Sequence, residues 1–500
     1  MKQALFLFSF FFLPACVLSQ VYDVDALKFA RQQTAGTARS MGAAGAFGSV
    51  GADLSSTLSN PAGIALYRSS EISLGIGIHP TSTNSKFLNL ERGENNTRFT
   101  FNYAGFVYAG AINKKKKSIS FSSKDLAYVN FAITYNRISN FNRTLLYSGL
   151  NQTSTYAGSW ANELNGLGGT IPGFGNASVA AVLGLQNETV RFDSIANSYR
   201  TYIDTPIFQN GRIRESGSVD EVNINLGFNI NDKVFFAFDA GIPFLSYSAV
   251  NEFSEVNTND SSARFINYRY VQEYRTNGIG FNLKLGLIYR PVAWYRTGIA
   301  FHSPTWYRLD ENYYAYLDEK YDGLQYKQEV DAAPFRYNIN TPMKGIFSNS
   351  FYFKQYGFLS VDYEFQNFGA IKHRFRDYKE AADAINQTTK GKYGFGHNVR
   401  VGVEGAIKWF RVRGGYAWQS SPFKTSVAVK GSDEQRHSFS LGIGYRGKSF
   451  FADVAFLQMR TNSYYQQYVS NDGNEPSVKT KNIYNNIMLT LGWRLGSKKQ

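Results

Sequence analysis

The side chains able to do chemistry are few in this sequence and widely scattered. Five histidines (His79, His302, His373, His397 and His437) show no metal-ligand spacing and accompany no nucleophile motif. The lone cysteine, Cys16, excludes a disulfide scaffold and a cysteine-built zinc site. No catalysis, metal or cofactor is expected. More informative are charges set among alternating residues: Lys284, Arg290, Asp362, Glu364, Arg400, Glu404, Arg413, Arg446, Asp453 and Arg494. Lysine or arginine on the polar face of a strand can hold a carboxylate by a charge-assisted hydrogen bond. Lys284 and Arg400 are the candidates for that role. The simpler expectation is that most of these charges pair with one another or with an interior segment.

The elements that must position them are read from periodicity. Val222, Ile224, Leu226, Phe228 and Ile230 alternate with Asn223, Asn225, Gly227 and Asn229, and Ile487, Leu489, Leu491 and Trp493 alternate with Met488, Thr490 and Gly492. Successive strand residues point to opposite faces, so each such stretch has one apolar and one polar side. Strands are expected near 70–80, 97–109, 124–137, 217–230, 233–249, 264–290, 293–307, 335–353, 356–368, 395–407, 409–420, 435–446, 449–462 and 482–495. Each of these fourteen can supply the roughly 9–11 residues that a tilted membrane strand needs. Short links at Asn231-Asp232, Pro291-Val292, Gln355, Lys408 and Gly447-Lys448 alternate with long ones, of which 138–216 is the longest. Short turns at one rim and long loops at the other are the pattern of a transmembrane antiparallel β-barrel. Tyr289, Trp294, Trp409, Phe410 and Trp493 lie at strand ends, where aromatic girdles are expected.

Composition agrees. Aromatic residues reach 16%, charged residues only 18%, and the chain holds 45 Gly. A mean hydropathy of −0.32 excludes a polytopic helical membrane protein. The net charge of +15 suggests nucleic acid less than basic rims facing anionic lipid, because the only basic block, Lys114 to Lys117, falls in an expected periplasmic turn between the second and third strands. At the start, Lys2 and the apolar run Ala4 to Leu13 read as a signal peptide over 1–19. Leu13-Pro14-Ala15-Cys16 offers an alternative lipoprotein box. Either way the chain is exported, and a bacterial outer membrane is its expected destination.

Residues 20–68 break the alternation. Gly42, Gly45, Gly48 and Gly51 recur at intervals suited to close backbone packing. Asp53-Leu54-Ser55-Ser56 and Asn60-Pro61-Ala62-Gly63 follow; Asn before Pro is turn-prone, and Gly63 is expected to supply a positive φ. A compact segment ahead of a closed barrel (69–496, with a tail at 497–500) would sit inside it as a plug. The order Gly36-Thr37-Ala38-Arg39, Gly42-Ala43-Ala44-Gly45, Ala52-Asp53-Leu54-Ser55 and Asn60-Pro61-Ala62-Gly63 resembles the N-terminal hatch of the FadL/TodX outer-membrane transport family. The run Gly278 to Pro291, Gly298 to Pro304 and Val399 to Glu404 are similar to strands of that family. Phe368, where many members carry Trp, and the Gly-Ser-Lys-Lys-Gln tail depart from it.

The resemblance implies a fourteen-stranded barrel, a hatch gated by Asp53, Asn60, Pro61, Ala62 and Gly63, and transport of hydrophobic compounds, long-chain fatty acids or aromatic hydrocarbons. It implies capture at an apolar groove, passage beside the hatch and lateral release. Leu145, Leu146, Ile171, Phe174, Val179, Val182 and Leu183 in the longest loop are the groove candidates, since exposed apolar clusters mark binding surfaces. A loop folding on itself over the barrel mouth is the other reading of the same residues, and Val179 to Leu185 reads as a short helix. Outer-membrane lipid and lipopolysaccharide are expected neighbours, nucleic acid is not, and the barrel is expected to be monomeric. Two rival functions fit the same fold: a shuttle of the type IX secretion system, and a nonselective porin.

Overall fold

The computed structural model describes residues 23–111, 126–258, 264–429, 431–469 and 476–495. The signal peptide, Cys16, the Lys114 to Lys117 block and the C-terminal tail lie outside these residues. Fourteen strands form one closed antiparallel ring: β1 (Ser70–Phe87), β2 (Leu90–Ala111), β3 (Leu126–Asn140), β4 (Ile207–Ile230), β5 (Val234–Asn257), β6 (Phe265–Val292), β7 (Tyr295–His302), β8 (Lys344–Tyr352), β9 (Gly357–Asn367), β10 (Phe395–Ile407), β11 (Phe410–Gln419), β12 (Arg436–Arg446), β13 (Phe450–Gln466) and β14 (Ser477–Leu495). Each pairs with its sequence neighbours, and β14 closes on β1 from Ser70↔Leu495 upward. Closure pairs the first strand with the last, which leaves no open edge between the ends of the sheet, as a barrel in lipid requires.

The distribution of side chains is inverted relative to a soluble protein. On β4, Glu221, Asn223, Asn225 and Asn229 are fully buried, while Ile224 and Leu226 are exposed. Leu283, Leu285 and Leu287 on β6, and Leu441 and Ile443 on β12, are exposed in the same way. The polar face lines the lumen and the apolar face forms an outer belt suited to hydrocarbon.

Tight turns set one rim. Asn231 and Asp232 both take positive φ (49° and 57°), the geometry whose twist matches two antiparallel strands. The expected Pro291-Val292 link is displaced, since β6 runs through Val292 and the turn falls at Ala293-Trp294. At the opposite rim several strands outgrow the belt. A hairpin of Trp306–Tyr321 and Leu324–Asn340 pairs with the upper half of β6 and extends the wall above β7. The expected strands 293–307 and 335–353 take in only the two ends of this hairpin and leave 308–334 as a connection; the breaks come at Ser303-Pro304-Thr305 and Thr341-Pro342-Met343.

The longest loop folds into a cap. It contains a strand Arg143–Asn151, helices α1 (Tyr156–Asn165) and α2 (Val179–Gln186), and a small hairpin Val190–Asp193 with Ser198–Thr201. Thr155 and Ser178 cap the two helices through their hydroxyls. Trp160, Ala181, Leu183 and Tyr268 share one apolar core with Leu317 of the long hairpin.

Candidate functional site: a plugged lumen and a parted wall

Residues 23–66 occupy the lumen, which places the hatch where the sequence pattern puts it. Close approach to the wall depends on missing Cβ atoms. A Cβ on Gly415 would lie 2.5 Å from the Ala43 carbonyl carbon, and one on Gly48 would lie 1.9 Å from Ser348 Oγ. Asn60 anchors the second half of the plug. Its Oδ1 accepts from Ala62 N (3.1 Å), and its Nδ2 donates to the carbonyls of Leu287 (3.2 Å) and Ile299 (3.4 Å) on β6 and β7. Pro61 opens the short turn Pro61–Leu66, where its missing N–H costs nothing. Gly63 does not take a positive φ; it is needed because a Cβ there would meet Ser56 Oγ at 2.3 Å.

Asp53 ties the two halves of the hatch. Its Oδ1 accepts from Thr37 Oγ1 (2.8 Å), Ser55 N (3.0 Å) and Ser55 Oγ (2.5 Å), and its Oδ2 lies 3.8 Å from Arg39. From Arg39 a chain of ion pairs crosses into the wall. Arg39 meets Glu404 at 3.3 Å, Glu404 meets Arg413 at 2.6 Å, and Asp453 joins Arg413 to Arg446, each at 2.7 Å. Lys284 contacts Glu221, lies 3.6 Å from Asp239, and donates to the Thr57 carbonyl of the hatch at 3.0 Å. Arg400 pairs with Glu364 at 2.6 Å, and Asp362 accepts the Gly48 amide at 2.9 Å. Both cations proposed for a ligand carboxylate therefore already face protein carboxylates. Glu221 and Asp239 were legible as inward residues by alternation, although nothing in the sequence links them to Lys284.

The groove candidates divide by position. Leu145, Val179, Val182 and Leu183 are buried within the cap, Leu146 and Phe174 are partly buried, and Ile171 is 87% exposed. Leu145, Val179 and Leu183 pack in the core of the folded loop with Phe174 against it, Leu146 and Ile171 lie outside that core, and the seven do not converge on one open surface.

The feature that sequence reasoning missed is a parting of the wall between β2 and β3. The two strands pair only from Tyr103↔Asn136 to Ala111↔Tyr128. Above that point β2 continues to Leu90 without a ladder to β3. Asn102 forms a bulge there, since Tyr103 and Phe101 pair with consecutive β1 residues, Gly75 and Ile76. β3 is bulged between Arg137 and Ser139 and breaks at Phe141-Asn142. The chain resumes at Arg143–Asn151, paired to β4 but set against β2 only through side chains, such as Arg92 Nε to Ser148 Oγ at 3.0 Å. Phe101 and Tyr135 stack at 5.7 Å across the foot of this seam. Behind it lies a small polar cavity of about 20 Å³ bordered by Asn102, Arg137, Ser139 and the hatch residues Gln33 to Gly36. The only faint sequence signal is the break in alternation at Phe141-Asn142.

Together these features define a class: a closed fourteen-stranded barrel whose lumen is filled by its own N-terminal hatch. It is the fold of the FadL/TodX outer-membrane channels. A FadL homologue from Pseudomonas aeruginosa is similar over 93% of this chain and 99% of its own, with a TM-score of 0.55 and 12% identity. The toluene transporter TodX of Pseudomonas putida is similar over 92% of this chain and 98% of its own, with a TM-score of 0.50 and 11% identity. No family model matches the sequence, and no curated protein matches it.

Proposed function

We propose that this protein carries hydrophobic compounds across the outer membrane of a Gram-negative cell, entering through the cap, passing beside the hatch and leaving sideways at the seam. Long-chain fatty acids and aromatic hydrocarbons are the substrate classes to test first. The seam is the observation that carries the reading. Its paired foot, Tyr103 to Ala111, is about the length that crosses hydrocarbon, so the parting begins at the outer edge of the apolar belt. A solute leaving there enters lipid without crossing the aqueous space below. The filled lumen argues against a nonselective pore in the same terms.

The test bridges the foot of the seam. Phe101→Cys/Tyr135→Cys, joined by a short bis-maleimide, should abolish uptake of labelled oleate or toluene by cells, while each single variant transports normally. Unchanged uptake through the bridged protein would exclude the lateral route. Unchanged uptake in a deletion strain, with loss of secreted proteins from the cell surface, would favour the secretion shuttle instead.

A further inference from the structure

The upper end of the seam is built differently from its foot. There a cleft of about 260 Å³ opens on the outer side of the wall. Three arginines line it: Arg92 from β2, Arg212 from β4 and Arg269 from β6. Its floor is Leu146 and Tyr147, and Tyr147 fits under the wall because residue 211 is glycine: a Cβ there would lie 1.9 Å from the ring. Outward placement follows from alternation, since Arg212 lies between the inward residues Gly211 and Ile213 and pairs across the sheet with Glu252.

Glu252 is the only acidic lining residue, and it is shared. Arg214 approaches its Oε1 at 3.2 Å and Arg269 at 3.1 Å. Arg92 spends one donor on Ser148. Arg212 Nε is buried with no hydrogen-bond partner. Three guanidinium groups against one shared carboxylate leave the cleft with excess positive charge, which is chemically matched to a phosphate, whose oxygens guanidinium forks recognise in pairs.

The height of the cleft identifies the source of that phosphate. The outer apolar belt ends near Phe244 and Ile279, which pair with each other; Arg212 pairs with Glu252, eight residues higher, and Arg269 with Ser254, ten residues higher. At about 3.3 Å per residue on a strand tilted by about 40°, these arginines stand roughly 20–25 Å above the belt. That is the sugar layer of an outer leaflet rather than open solvent. We propose that the upper seam binds a phosphate group of an outer-leaflet glycolipid. The proposal depends on membrane placement alone and stands or falls apart from transport.

The experiment uses the full-length protein in detergent, titrated with purified lipopolysaccharide, the same material after phosphatase treatment, and inorganic phosphate. Intact lipopolysaccharide should bind about tenfold more tightly than the dephosphorylated form, with inorganic phosphate far weaker than either. Arg92→Gln/Arg212→Gln should reduce intact lipopolysaccharide to the dephosphorylated level, Arg212→Lys should retain part of the difference, and Arg308→Gln, outside the cleft, should change nothing. Heat-modifiable gel mobility establishes that each variant is folded. Equal binding of the two lipopolysaccharides, or an unaffected double variant, overturns the proposal. Inorganic phosphate binding as tightly as lipopolysaccharide overturns the glycolipid assignment.

Discussion

Lys284 illustrates how a buried charge holds this lumen together. Its ammonium faces Glu221 and Asp239, all three are almost fully buried, and it also reaches the hatch backbone at Thr57. Removing it as Lys284→Met leaves two carboxylates uncompensated, which should cost about 3–5 kcal/mol in urea unfolding from lipid vesicles. A second residue-scale prediction concerns the cap. Glu319 is buried and accepts hydrogen bonds from Thr189 (2.6 Å) and Tyr202, and the charge of Arg191 also favours its carboxylate. Burial outweighs those bonds and raises its carboxyl above the ordinary glutamic acid value. The folded cap therefore holds a proton that the unfolded chain releases first. This stabilisation is complete below about pH 4.3 and is lost as pH rises through the raised value. Glu319→Gln should remove that slope, measured as hydrogen exchange of residues 179–201 against pH. An unchanged slope would place the titrating group elsewhere.

At the scale of elements, the hatch and wall fit through absent side chains. A Cβ on Gly286 would lie 2.1 Å from Asn60 Oδ1 and 2.7 Å from Ala62 N. Gly286→Leu should displace the second half of the plug and raise ion conductance in planar bilayers, whereas the same change at the lipid-facing Gly414 should not. Much of this architecture was legible. Alternation located the membrane part of every barrel strand, and its loss before residue 69 marked the hatch. Alternation cannot distinguish a strand crossing hydrocarbon from one standing above it, so the expected strands 293–307 and 335–353 run on into the ends of the tall hairpin at 306–340, whose middle is left as a connection. Nor can it register which strand pairs with which. The seam is a failure of pairing between two stretches that each read as ordinary strands, and it exists only in three dimensions. The cap core shows the same limit: Val179 and Leu183 announce apolar surface, but their burial against Trp160 and Leu317 is a tertiary fact.

For the whole molecule, the plug and ring act as one closed object. The intact protein should show negligible conductance in planar bilayers. Deleting residues 23–66 should open a wide channel of weak ion selectivity, because the exposed lining mixes Lys284, Arg400 and Arg413 with Glu221, Asp362 and Glu404. Large conductance from the intact chain would mean that the hatch does not seal.

The junction of β14 with β1 joins the two ends of the chain around a segment that precedes both. The hatch is continuous with β1, and with the last junction made it is surrounded by wall on all sides. The plug is thus tethered to the wall at β1, one of the two strands that make the closing junction. Contacts between such distant parts of a chain form late and slowly. The β1–β14 junction is therefore the one seal of the ring that spans almost the whole length of the barrel sequence, set around a stopper that belongs to the same chain.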